Sequence, residues 1–149
     1  MINKTAAIIA GAGAGNRLGA NLPKALVKLV DKTLVEHAVA ALSPVAELIV
    51  ITAPAGFEEE FRKVLGDQVT VITGGILRSD SIRLALAQIP NNYEYVLVHD
   101  AARALATTTL AKSDLFVILR ARSSPAITFT ATPSASTNAA SSVASSLAW

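Results

Sequence analysis

The residues best equipped for chemistry stand in two groups. Asp100 and Arg103 close the run Val96-Leu97-Val98-His99-Asp100-Ala101-Ala102-Arg103, where an apolar strand ends in an ionisable cluster. In an open α/β sheet ligands bind beyond such strand ends, where an Asp can hold a metal ion and an Arg an anion. The second group is Gly11-Ala12-Gly13-Ala14-Gly15-Asn16-Arg17-Leu18-Gly19 with Pro23-Lys24 close behind. Small residues in succession let backbone N–H groups approach phosphate and base atoms, and glycine can take the positive φ angles that such a cradle needs. Arg17 and Lys24 add two cations to the same loop. An acid suited to Mg²⁺ and a basic glycine-rich loop are complementary halves of one nucleotide site. Their charges can stabilise a triphosphate and the negative charge that develops as pyrophosphate leaves, which points to nucleotidyl transfer.

Two commoner glycine motifs fit badly. There is no G-x-x-x-x-G-K-[ST], and the loop lacks the final Gly of the dinucleotide fingerprint. The second strand ends in Thr52-Ala53-Pro54, with no acid to hold a ribose. Taken singly, each motif also has an ordinary reading. The loop can be a small-residue turn with two solvated cations, and Asp100 a helix cap with Arg103 as its surface partner. Gly74-Gly75 can be a turn and Ser81 a polar residue at a helix start. His37 and His99 read as structural.

The elements that would position these residues alternate along the chain. Ala6 to Ala10 is a short apolar run bounded by glycine, which suits a strand buried on both faces and leads into the loop. Thr33 and Glu36 have capping-box spacing, and Leu34, Ala38, Ala41 and Leu42 recur at helical intervals, which predicts a helix over 33–42. Ala46 to Thr52 reads as strand two. Phe57, Phe61, Val64 and Leu65 share one helical face, with Gly66 where a C-terminal cap belongs. Gln68 to Ile72 is strand three. Ser79 or Asp80 can cap a helix that turns Ile82, Leu86 and Ile89 inward and stops near Pro90. Tyr93 to Val98 is strand four. Strands alternating with helices imply right-handed parallel crossovers, so the expected fold is α/β with a doubly wound, mostly parallel, Rossmann-like sheet.

Beyond Leu105 the character changes. No glycine follows Gly75, Asp114 is the last acid, and Ser123 to Trp149 is rich in Ala, Ser and Thr without charge. Lys112 to Arg122 can continue as a strand or helix around Leu115-Phe116-Val117-Ile118-Leu119, but the remainder lacks either period. The division expected is a nucleotide-binding α/β domain over 1–110 and a poorly ordered, low-complexity tail over 111–149, leaving the sheet incomplete.

Composition narrows the partners. With 149 residues, 52% of them hydrophobic, the chain supports one domain. A net charge of +2 and the lack of a basic run interleaved with aromatics give no footprint for nucleic acid. No apolar run reaches the length of about 18 that spans a bilayer, and the opening residues read poorly as a signal peptide. Cysteine is absent, which removes disulfides and thiolate metal sites and is compatible with the cytoplasm.

Ala7-Ile8-Ile9 before the loop, Arg17-Leu18-Gly19, Pro23-Lys24-Ala25-Leu26, Gly74-Gly75 with Arg78 and Asp80-Ser81, and Val98-His99-Asp100-Ala101-Ala102-Arg103 together resemble the 2-C-methyl-D-erythritol 4-phosphate cytidylyltransferases. The resemblance covers about two-thirds of the chain, and the His-Asp-Ala-Ala-Arg element is its most discriminating part. It implies that CTP and methylerythritol phosphate give a CDP-linked alcohol and pyrophosphate, in the non-mevalonate route to isoprenoids. It also implies a divalent ion, normally Mg²⁺, and a cytoplasmic homodimer. By position, Arg17 and Lys24 correspond to the basic pair that stabilises the transition state. Gly11, Ala12, Gly13, Gly75, Ile76 and Ser81 fall where the family contacts the nucleotide. Asp100 matches the metal-binding acid, and Arg103 lies beside the substrate. Ala10-Gly11-Ala12-Gly13 stands where the family has Pro-Ala-Ala-Gly, Ile76 where it has an acidic or polar residue, and Ala104 where it has Pro. After about Leu110 the resemblance ends, with no counterpart of the family's dimerisation arm or phosphate-gripping residues. A shifted reading frame near Thr109 to Ala111 is one physical explanation of such a tail. Two alternatives remain open: a remnant that binds CTP without catalysis, and a sister enzyme acting on ribitol 5-phosphate.

Overall fold

A computed structural model describes residues 4–13 and 22–102 throughout, and the backbone of two strands at 116–120 and 127–131. Arg17 and Arg103 lie outside the described residues. The chain runs β1 (Thr5–Ala10), a 3-10 turn (Lys24–Leu26), a small hairpin of β2 (Lys28–Leu29) and β3 (Lys32–Thr33), α1 (Leu34–Leu42), β4 (Leu48–Ala53), α2 (Glu58–Leu65), β5 (Thr70–Thr73), α3 (Arg78–Ala87), β6 (Tyr95–Asp100), β7 (Phe116–Arg120) and β8 (Ile127–Ala131). The sheet order is β5-β4-β1-β6-β7-β8. Its first four members are parallel, and β7 and β8 add on antiparallel beyond β6.

Alternation along the central strands explains why both faces are covered. In β1, Ala7 and Ile9 join one apolar cluster while Ala6 and Ile8 join another. In β4, Ile49, Ile51 and Ala53 go to the first and Val50 to the second. The first cluster takes Val35, Ala38 and Leu42 of α1 and Phe61 of α2; the second takes Ile82 and Ala85 of α3 and, just beyond it, Ile89. The result is the doubly wound arrangement, and burial of each Val, Leu, Ile or Phe side chain among these contributes about 1.5–3 kcal/mol, each Ala less.

Local chemistry sets the helix starts. Thr33 and Glu36 form the expected capping box: Thr33 N–H donates to Glu36 Oε2 at 2.6 Å, and Glu36 N–H to Thr33 Oγ1 at 3.3 Å. That backbone donor is the main cause holding the Glu36 carboxyl below its ordinary value. In α2, Phe61 is buried and Phe57 and Leu65 are half-buried, but Val64 faces solvent, so the apolar stripe is narrower than the sequence suggests. Gly66 ends α2 with φ 69°, as its predicted capping role requires. Neither Ser79 nor Asp80 caps α3. The helix begins at Arg78 after Leu77, which makes no side-chain cap, while Asp80 turns to Arg83.

Strands two, three and four begin two residues later than predicted, because turns occupy the preceding positions; Gln68, for instance, closes a 3-10 turn and Tyr93 N–H bonds to Pro90 O. The stretch expected to be a poorly ordered tail lies mostly outside the described residues, but within it the backbone of Ile127–Ala131 forms a strand. Ile, Thr and Phe favour extended backbone strongly enough for this segment to pair with β7, whose own range falls in the stretch expected to continue as strand or helix.

Candidate functional site

Chain direction locates the crevice. From β1 the chain crosses to β4 and then β5, and afterwards returns to β6 on the opposite side of β1. Crossovers therefore diverge between β1 and β6, and ligands of open α/β sheets bind beyond the carboxyl ends of the strands at such a point. Two of the sequence-predicted motifs emerge there. Ala10 is in register with Asp100, and Ala101 N–H donates to Ala10 O at 3.1 Å, so the Gly11–Gly13 segment and the acid leave the sheet side by side.

The glycines serve close approach, and among the described residues none of this loop has positive φ; only Gly56 and Gly66 do among the described glycines. Gly15 and Gly19 of the same loop lie outside the described residues; at the two described positions, Gly11 and Gly13, the possibility of positive φ is not realised. A Cβ on Gly11 would lie 2.8 Å from Thr52 O, and one on Gly74 would lie 2.3 Å from Ala12 Cβ. The β1 and β5 loops touch because Gly74 lacks a side chain, while the bare Gly11 lets the start of the β1 loop lie against Thr52 of β4. Gly75 is also committed, since its Cβ would meet Asp80 Cβ at 2.4 Å, whereas around Gly13 there is open space. Thr52, wholly buried, fastens the first loop by accepting Gly11 N–H at its carbonyl (3.0 Å) and its hydroxyl (3.3 Å).

Ser81 fastens the second loop. Its buried Oγ accepts Gly75 N–H at 3.0 Å and lies 3.2 Å from Leu77 O, to which its hydroxyl can donate. The turn between them carries Ile76, fully exposed, and Leu77, more than half exposed. Two adjacent apolar side chains thus stand in water at the mouth of the crevice, flanked by backbone that Ser81 holds in place.

Asp100 is joined to Arg78, whose Nε donates to Oδ1 at 2.9 Å. Lys24 sits on the 3-10 turn that follows Pro23. Ala25 and Leu26 are buried in the cluster that includes Ala101, while Lys24 itself is exposed and makes no ion pair among the described residues. The site thus brings together Gly11, Ala12, Gly75, Ser81 and Asp100, with Lys24 tethered through the core and Ile76 on the rim. Sequence reasoning missed the roles of Thr52 and Arg78. A Thr within an otherwise aliphatic strand and a cation at the start of a helix were the available signals.

The model of one protein family, IspD, 2-C-methyl-D-erythritol 4-phosphate cytidylyltransferase, matches residues 5–140. The chain belongs to this family. The family match runs past Leu110, where the motif resemblance stops, while alignment with curated relatives is shorter. The 2-C-methyl-D-erythritol 4-phosphate cytidylyltransferase of Rhodococcus jostii strain RHA1 is 43% identical over 106 residues, 70% of this chain and 46% of the relative. The chain therefore spans about half the length of the curated relatives it matches. The bifunctional IspDF of Campylobacter jejuni superposes with a TM-score of 0.64 at 26% identity, over 74% of this chain and 29% of that one. The 2-C-methyl-D-erythritol 4-phosphate cytidylyltransferase of Thermus thermophilus gives 0.56 at 26% identity, over 72% and 46%. A manganese complex of Rv0371c from Mycobacterium tuberculosis, at 15% identity and a TM-score of 0.58 over 73% and 56%, shares the fold alone. No helix of the described residues is long and apolar enough to cross a membrane.

Proposed function

We propose that this chain binds CTP at the β1–β6 crevice and transfers its cytidylyl group to 2-C-methyl-D-erythritol 4-phosphate, releasing pyrophosphate. The observation that carries this reading is the side-by-side exit of the glycine loop and Asp100 at the switch point, in a member of the IspD family. Ala12 and Gly13 offer backbone donors, held in place by Gly11, whose own N–H is taken by Thr52, and Gly75, Ile76 and Ser81 form the opposing wall. Lys24, with Arg17, neutralises the phosphates as charge shifts toward the leaving pyrophosphate; the family resemblance assigns Arg103 to the alcohol phosphate. A phosphate oxygen of the acceptor attacks the α-phosphorus in line, the bond to pyrophosphate breaks, and no covalent enzyme intermediate forms. Catalysis then rests on positioning and charge.

The donor set suits a divalent cation such as Mg²⁺. Asp100 is a hard carboxylate whose side chain keeps 32% of its exposure, and no cluster of three ligating side chains exists among the described residues. Mg²⁺ characteristically takes one or two carboxylates and completes its shell with water and substrate phosphates. Bound there, it would offset triphosphate charge while Asp100 holds it. The same reading makes the protein a cytoplasmic homodimer.

The test is pyrophosphate release with CTP and Mg²⁺ against each acceptor. Release with methylerythritol phosphate is expected. Release with ribitol 5-phosphate alone reassigns the acceptor, and calorimetric CTP binding without release on either leaves a nucleotide-binding remnant.

A further inference from the structure

Arg78 opens α3, and its guanidinium reaches across to β6 to hold Asp100 at 2.9 Å. The two side chains remain 37% and 32% exposed, so the pair faces the crevice rather than the core, and pairs this exposed add little to stability. Arg78 is also at the unfavourable end of its helix. The N-terminus of a helix carries partial positive charge, which repels a cation, and no side-chain cap on Leu77 softens it. Neither fold stability nor helix electrostatics accounts for an Arg at this position, whereas its partner does.

We propose that Arg78 is a positioning residue that keeps Asp100 charge-compensated until nucleotide arrives, so that the divalent cation enters with the triphosphate and not ahead of it. The proposal rests on the reading of Asp100 as the metal-binding acid. A dication approaching this carboxylate meets the guanidinium only a few ångströms away. Coulomb repulsion over that range in water, reduced by salt, weakens binding by roughly threefold to tenfold. An arriving triphosphate removes the obstacle. Guanidinium matches phosphate oxygens as well as carboxylate, so Arg78 can transfer its donors to the nucleotide and release Asp100 to the cation. The same residue would then order the carboxylate in the empty site and the phosphates in the filled one.

Free Mn²⁺, followed by electron paramagnetic resonance during titration of the full chain, tests this without any turnover. Without nucleotide, Arg78→Gln should bind Mn²⁺ roughly threefold to tenfold more tightly than the unaltered chain. Arg78→Lys, which keeps the charge, should stay close to the unaltered chain. The gain must vanish when Asp100→Asn is added to Arg78→Gln, which separates Asp100 from other surface carboxylates. With CTP present the advantage of Arg78→Gln should disappear. Equal Mn²⁺ affinity in Arg78→Gln and the unaltered chain without CTP, or a gain that survives Asp100→Asn, overturns the proposal. Failure of the underlying site reading looks different: Mn²⁺–CTP binding to the otherwise unaltered chain would then be indifferent to Asp100→Asn. Circular dichroism and melting temperature confirm that each variant is folded before titration.

Discussion

Gly74→Ala probes whether contact between the β1 and β5 loops builds the site. The added Cβ would stand 2.3 Å from Ala12 Cβ, 2.9 Å from Ser81 Oγ and 3.3 Å from Thr52 Cβ, where ordinary contact begins near 3.4 Å. The shortest of these requires the Gly11–Gly13 segment to retreat by about an ångström, and Thr52 anchors that segment at Gly11. Overpacking of this kind costs about 1–3 kcal/mol. For a chain of this size that corresponds to a loss of roughly 3–12 °C in melting temperature.

Ala12→Gly removes the atom that clashes. Alone it should cost less than about 1 kcal/mol, through backbone entropy. Combined with Gly74→Ala it should restore much of the lost stability, giving a favourable coupling of about 1–2 kcal/mol, because contacting residues are not additive. The contact with Ser81 Oγ remains, so rescue is partial. Urea unfolding monitored by far-UV circular dichroism measures all four corners of the cycle, and calorimetry with CTP on the same proteins reports the loop geometry. Gly74→Ala within about 0.5 kcal/mol of the unaltered chain, or a double variant equal to the sum of the singles, refutes the contact as the reason for the glycine.

Val30, 91% exposed at the tip of the β2–β3 hairpin, has φ 64°, a region costly for a β-branched residue. Val30→Gly should therefore raise stability by about 0.5–1 kcal/mol after the entropy of a freer unfolded chain is deducted, and a urea midpoint that falls instead would contradict the strain. Glu36 has a carboxyl held below 4.5 chiefly by the Thr33 backbone donor, so its folded value lies under its unfolded one. Its contribution is present in full above the unfolded value and disappears as pH falls through the folded one; the stability gap between the unaltered chain and Glu36→Gln should narrow on acidification below about pH 4.5, and a gap that widens there reverses the assigned sign. Lys24→Ala should lower kcat for pyrophosphate release about a hundredfold, the scale of one preorganised charge contact, and unchanged turnover would return Lys24 to a solvated turn.

Local signals are legible in the sequence and cross-chain ones are not. The capping box at Thr33 and Glu36 needs only residues three apart, and the alternation of Ala6, Ala7, Ile8 and Ile9 needs only a period of two, so both features follow from spacing. Spacing misplaces the α3 start because Ser79 and Asp80 are good caps in isolation. What decides the register there is Ser81, whose hydroxyl is engaged by Gly75 across the preceding turn. The same limit governs the site. Composition identifies a glycine loop and a strand-end acid, but it does not reveal that Gly11 lies against Thr52 of β4 or that Gly74, beyond β5, lies against Ala12. Asp100 is recognisable as chemistry at a strand end, yet its partner on α3 depends on how far the sheet twist and the α3 crossover bring two loops together. Sequence spacing can reveal which residues are chemically able. The sheet order, by returning β6 to the side of β1 opposite β4, determines which of them share a crevice, and that order is fixed by the packing of both faces rather than by any motif.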